Sequence, residues 1–230
     1  APGHRLKLLP AGEAWLEPGA RVAVGGSHAL TLYRIGGIEF TPVPVWLDEQ
    51  GATAAVIDDW FEVLSPRAQP RLAQLQAAQD AAGQAWSAGV ARRLAHRPAG
   101  ALLIRHARLF DPRDLAVRED MRVLVRSGHV VRVEADDGGA APPDAEVMDA
   151  AGRFLMPGLW DVHQHFSGVD GAFDLVAGVT SARDMANDNV ALPARVARFD
   201  AGTELGPRVV LAGIVEGTGP LAGPTPVRIE

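Results

Sequence analysis

From residue 156 onward the chain changes rhythm, and that change constrains its fold more than any other feature. Strand-like runs at 159–165, 178–184 and 207–213 are separated by Gly171–Ala177 and Ala191–Ala201, which read as helices. In the second helix Leu192, Val196 and Phe199 fall near one face. Strand–helix alternation at this spacing predicts an α/β arrangement of parallel βα units, because a parallel crossover needs about a dozen residues, usually helical.

The earlier part of the chain reads differently. Arg21–Val24 and Ala29–Ile35 flank Gly25-Gly26-Ser27-His28, and Pro44–Asp48 and Thr53–Ile57 flank Glu49-Gln50-Gly51. Two such hairpins predict an antiparallel meander over residues 1–64. Prolines at 42 and 44 predict an edge strand there, since proline has no N–H for a ladder. Ser65-Pro66 is expected to open a long helix, with serine as cap and proline in the first turn, and Leu72, Leu75, Ala78 and Ala82 recur at helical spacing. Pro98-Ala99-Gly100 ends that helix and marks a linker. Beyond it, 102–110, 121–126, 129–133 and 146–149 read as strands, with Ser127-Gly128 as a tight turn and 136–143 as a loop. Three units follow: residues 1–97, an antiparallel β domain with a long helix; 98–155, a small β segment; and 156–230, the βα units.

Composition bounds function. Hydrophobic residues make up 47% of the 230, enough for a buried core. The net charge of −6, with no basic stretch, argues against a nucleic-acid partner. No run of about 20 apolar residues suggests a membrane span. Cysteine is absent, which excludes disulfides, thiolate nucleophiles and Cys-based zinc sites. Lys7 is the only lysine, so chemistry needing a lysine beyond it is excluded for this polypeptide. The start at Ala1-Pro2-Gly3 is compatible with signal-peptidase cleavage, and Pro224–Glu230 carries no helix stop signal; both ends read as interruptions.

The chemistry concentrates in MPGLWDVHQHF, residues 156–166. Alternation along a strand sends Asp161, His163 and His165 to one face, with the imidazoles about 6–7 Å apart. Both rings can bend toward one ion, and zinc–nitrogen bonds of about 2.0–2.1 Å suit such a pair. An isolated His-x-His is more often two polar residues on a half-exposed strand. Here the pair ends an apolar strand that opens the βα units, the end at which parallel barrels place their active sites. Asp161 stays open between orienting a ligand imidazole and bonding the backbone. Arg183-Asp184 stays open between facing a substrate and forming a structural ion pair, and Asp188-Asn189 and Glu216 are polar loop groups at the same end. His96, His106 and His129 show no ligand spacing and read as surface or packing residues, and Trp46, Trp60, Trp86 and Trp160 read as core.

Residues 101–230 resemble the N-terminal part of a metal-dependent amidohydrolase, the superfamily of imidazolonepropionases, cyclic-amide hydrolases and prolidase-like dipeptidases. The strands around Ser127-Gly128 resemble the small β-sandwich that precedes the barrel in that family. DAAGRFLMPGLWDVHQH, residues 149–165, resembles the approach to the first barrel strand, AGVTSARDM, 177–185, the second, and GPRVVLAG, 206–213, the third. The resemblance implies a partial TIM-like (β/α)8 barrel of about three strands, with one or two divalent ions, zinc foremost, at its mouth. His163 and His165 would be the first-strand ligands. A bridging lysine or glutamate, two later histidines and a last-strand aspartate that takes a proton from metal-activated water would complete the site. The reaction implied is cleavage of a C–N bond in an amide, peptide or cyclic amide, the substrate being a small molecule or short peptide.

This sequence does not complete that pattern. No histidine follows His165, a whole barrel takes about 250 residues, and a hydrolytic zinc normally has three protein ligands. The expectation is therefore a parent hydrolase of which this polypeptide alone is inactive, completed by the rest of its own chain or by a complementing one. Residues 1–97, with TLYRIGGIEFTPVPVWLDEQG, resemble the domain placed before the barrel in secreted bacterial members, which implies a periplasmic or secreted protein, the cytoplasm being the alternative. A non-enzymatic binding module built on a degenerate or split barrel is the alternative function. A complete flavodoxin-like domain is disfavoured, because no Gly-rich phosphate loop opens any helix.

Overall fold

A computed structural model of the protein describes residues 4–58, 61–219 and 227; Trp60, the three N-terminal residues and most of the stretch after 219 lie outside the described residues. Six strands, β1 (His4–Lys7), β2 (Glu13–Gly25), β3 (His28–Gly36), β4 (Val43–Leu47), β5 (Thr53–Ile57) and β6 (Glu62–Leu64), form one antiparallel sheet in chain order. Leu30 and Leu32 share one face of β3, as period-two alternation requires. The helix α1 (Leu72–Leu94) closes that face, so that Leu30, Leu32, Trp46, Ala55, Ile57 and Leu75 belong to one buried core. Polar groups lock the helix in place: Trp46 Nε1 donates to Gln79 Oε1 at 3.3 Å, and Gln79 Nε2 donates to the Ile57 carbonyl at 2.9 Å.

Both predicted hairpins are present, and two expectations need correction. The proline-bearing strand β4 is interior, between β3 and β5, rather than an edge. Pro44 pairs with Arg34 of β3, but pairing with β5 begins only at Trp46. No ladder reaches Pro44 on the β5 side, so the strand accommodates it as a local edge. The helix also starts later than Ser65. Ser65 Oγ accepts the Ala68 N–H at 3.3 Å and closes a turn, a 3-10 turn at Gln69–Arg71 follows, and α1 begins at Leu72. Pro70 disfavours α geometry at Gln69, which keeps the Ser65 turn from running on into the helix.

The second unit pairs β7 (Ala101–Asp111), β8 (Ala116–Arg126) and β9 (His129–Ala135) antiparallel. Ser127 at φ 50° and Gly128 at φ 77° make the left-handed pair that a two-residue hairpin demands. A small sandwich was expected, but the described residues form a single five-stranded sheet. Strands β10 (Ala145–Asp149) and β11 (Phe154–Leu155) both return parallel to β7, one at Ala101–Arg105 and the other at Arg108-Leu109. They extend the layer instead of facing it.

In the third unit β12 (Leu159–Gln164), α2 (Asp170–Val176), β13 (Val179–Asp184), α3 (Ala191–Ala201) and β14 (Arg208–Leu211) alternate as predicted, and the strands pair in parallel in the order β12-β13-β14. Helix α3 covers one face through Leu192, Val196 and Phe199, which pack with Phe166, Ala182 and Val209. The class is thus mixed α/β, while the described residues form an open three-stranded sheet and no closed barrel. Trp46 is buried as expected, but Trp160 is 56% exposed, because β12 is an edge strand without a neighbour on its far side among the described residues. Among the described residues no helix is long and apolar enough to cross a membrane.

Candidate metal centre

Strand β12 carries Asp161 and His163, and His165 lies just past its end. The alternation predicted across them is interrupted. Asp161 stands opposite Ala182 and Gln164 opposite Asp184, so three steps on β12 match two on β13. Such a one-residue irregularity re-aims the side chains beyond it. The Asp161 carboxylate spans it, Oδ1 accepting the main-chain N–H of His163 at 2.9 Å. The two imidazoles end up side by side and exposed, ring centres 5.4 Å apart and planes at 72°.

That spacing suits a shared ion. With bonds of about 2.0–2.1 Å and ring centres roughly 1.1 Å beyond the ligating nitrogens, two imidazoles at the tetrahedral angle sit about 5 Å apart. His165 is also oriented. Its Nδ1 lies 2.8 Å from the Ala186 carbonyl oxygen. A carbonyl can only accept, so in the neutral ring Nδ1 carries the proton and Nε2 keeps the free lone pair. The His163 ring has no hydrogen-bond partner among the described residues. Two neutral imidazoles are a donor set that zinc accepts readily, and these residues fit half of a catalytic shell. Among the described residues no third histidine, aspartate or glutamate groups with them at metal-binding distance.

The polar groups flagged on neighbouring strand ends serve mainly the backbone. Asp184 is wholly buried and forms no pair with Arg183, which is exposed. Its carboxylate accepts the Phe166 N–H at 2.8 Å, the Ala186 N–H at 3.2 Å and the Asn187 side-chain amide at 3.0 Å. Asp188 Oδ1 accepts the N–H groups of Val190 at 2.7 Å and Ala191 at 2.6 Å, and these bonds hold its carboxyl below the usual range. Asn189 brackets Ile214, donating to its carbonyl and accepting its N–H. Glu216 joins Val227 through a main-chain bond of 3.2 Å. Behind β12, burial pushes the Asp174 carboxyl up despite a bond from Gln164, and the charges of Asp161 and Asp170 add to the rise. Asp174 Oδ2 and Gln164 Oε1 are both buried without a partner.

A second meeting of potential ligands escaped the sequence. His106, Asp120 and Asp136 bring ligand atoms within 4.8 Å of one another. They lie far apart in sequence and meet only through the pairing of β7, β8 and β9, so no local spacing signals them. Arg105 already occupies the group. Its Nε donates to Asp136 Oδ2 at 2.8 Å, its Nη2 bonds the other oxygen, and the guanidinium holds the Asp136 carboxyl well below the ordinary range. His106 Nδ1 meets Asp149 at 3.1 Å, and His96 meets Glu146 at 2.8 Å. These are side-chain contacts of the β segment, in which Arg105 already takes both oxygens of Asp136.

No family model matches the chain. Among curated proteins it is similar to a dihydroorotase of Geobacter sulfurreducens, 39% identical over 83 residues, which are 35% of this chain and 19% of that protein. It is similar to an N-substituted formamide deformylase of Arthrobacter pascens, 47% identical over 47 residues, 20% of this chain and 9% of that one. An adenine deaminase of a Ruegeria species matches at 33% over 63 residues, 27% and 10% of the two chains. The chain therefore spans about a fifth or less of the length of these relatives. Among solved structures it shares its fold with a protein named as a prolidase from Bifidobacterium longum, with a TM-score of 0.51 and 20% identity over 58% of this chain and 35% of that one. These partial similarities, together with the shared fold, support the resemblance of the chain to the amidohydrolase superfamily.

Proposed function

We propose that this chain supplies the first-strand metal ligands, His163 and His165, of a hydrolase that cleaves a C–N bond with a metal-activated water. The observation that carries the reading is the imidazole pair, 5.4 Å between ring centres at the C-terminal end of the first of three parallel strands. The relatives support the bond class, being named for dihydroorotate, a substituted formamide and adenine. A divalent ion, zinc by its donor set and one or two in number, would when bound polarise the scissile group and lower the pKa of water. His165 presents Nε2 because Ala186 holds Nδ1, and Asp161 pins the main chain at His163 across the strand irregularity. The three strands are the first units of a (β/α)8 barrel. The remaining ligands and the proton-accepting aspartate belong to its later strands, on the same polypeptide or on a complementing one. The substrate is a small amide, cyclic amide or short peptide, entering at the open end where both rings are exposed.

Metal content tests this reading. The protein with its later strands present, on the same polypeptide or on the complementing one, should carry zinc in stoichiometric amount by elemental mass spectrometry. A His163→Ala/His165→Ala double variant with an unchanged circular-dichroism spectrum should carry none. Equal metal in both proteins, or none in either, would sink the reading and leave the non-enzymatic binding module.

A further inference from the structure

We propose that Asp184 is a positioning residue for the metal site, a reading that rests on the function proposed above. Asp184 is fully buried at the end of β13, level with Gln164 on β12. One carboxylate oxygen accepts the main-chain N–H of Phe166, the residue after His165, at 2.8 Å. The other accepts the N–H of Ala186 at 3.2 Å, and Ala186 is the residue whose carbonyl takes the His165 Nδ1 proton at 2.8 Å. Asn187 closes the ring, its Nδ2 bonding both Asp184 Oδ2 at 3.0 Å and the Phe166 carbonyl at 2.9 Å. A single acceptor group thus holds the backbone beside His165 and the carbonyl that sets its tautomer.

The chemistry calls for a carboxylate. Three donors converge on Asp184, and a carboxylate only accepts, whereas an amide in its place would turn an NH2 toward a donor N–H. Burial makes that mismatch costly, since an unpaired donor cannot turn to water. Loss of the clamp frees the loop carrying Ala186, and His165 then samples both tautomers. Groups that orient a metal-binding histidine typically govern affinity about 10–100-fold.

The test uses Asp184→Asn in the whole protein, with circular dichroism and a thermal melt confirming the fold. Two readouts are followed: zinc affinity by competition with a chromophoric chelator, and the His165 tautomer by nitrogen-15 NMR in the metal-free protein. Wild type should show the Nδ1–H form of His165, and the variant a mixture of tautomers with zinc affinity reduced about tenfold or more. A folded variant with both readouts unchanged would overturn the proposal. Should Asp184→Asn not fold, Asn187→Ala, which leaves the carboxylate in place, is expected to shift the tautomer and weaken zinc binding severalfold; no change in either would overturn it. Absence of zinc from wild type would instead reject the metal centre itself, and the tautomer readout, taken without metal, separates the two failures.

Discussion

Asp174 shows how one side chain behind the site pays for its burial. An acid whose folded pKa lies above the unfolded value, about 3.9, loses stability as pH rises through the folded pKa, because its ionised form is the disfavoured one. Its Oδ2 and the nearby Gln164 Oε1 are unpartnered acceptors. Asp174→Asn removes the charge and adds a donor within reach of Gln164. The melting temperature at pH 7 should rise, and the gain should shrink toward zero near about pH 3, where the aspartate is protonated in both states. Differential scanning calorimetry at the two pH values checks the sign; a gain that grows on acidification would contradict it. The site itself was partly legible at this scale. His163 and His165 stand out because spacing two on a strand is a local signal. The Ala186 carbonyl that orients His165 carries none, since every residue has a carbonyl. Asp161 was readable as polar, but a local slip in the β12–β13 pairing, invisible to alternation, turned its carboxylate to the backbone.

The helices of the third unit owe their limits to short-range chemistry. Asp188 satisfies two main-chain N–H groups at the start of α3, as an N-capping side chain does. Asp188→Ala should cost about 1 kcal/mol in urea unfolding, and a loss below a few tenths would show the cap to be idle. At the start of α2, Asp170 reaches back to the Ser167 N–H at 2.8 Å, the reciprocal half of a capping box. Gly171 has a different task. A Cβ there would stand 2.8 Å from both the Leu205 carbonyl oxygen and Phe199 Cζ, so glycine lets α2 approach the segment leading to β14. Alanine is the better helix former by about 1 kcal/mol, yet Gly171→Ala should destabilise by about 1–3 kcal/mol through overpacking, measurable as a lower urea midpoint. Element types and most boundaries followed from periodicity and turn chemistry. The interior place of β4 and the late start of α1 did not, because each turned on which neighbours a proline meets.

At the scale of the whole molecule, the parallel sheet has two open sides. β12 and β14 each lack a further neighbour among the described residues, and Trp160, Val162, Val210 and Leu211 are exposed on them. Unpaired apolar strands invite pairing with another chain. The protein as this chain should self-associate in sedimentation velocity as concentration rises, and Val162→Lys, which places a charge on the β12 edge, should shift the population toward monomer. A strictly monomeric protein at high concentration would show the edges to be already covered. By itself the sequence determined the strand–helix alternation, the hairpins and the His-x-His pair, because periodicity, turn residues and ligand spacing are local properties of the chain. Tertiary structure decided the slip that separates Asp161 from the rings, the buried carboxylate joining two strand ends, the single-layer β segment and the Arg105 bonds that take up Asp136 beside His106 and Asp120. Each of these depends on groups distant in sequence meeting in space, and which ones meet is set by strand register and packing, quantities that no stretch of residues encodes alone.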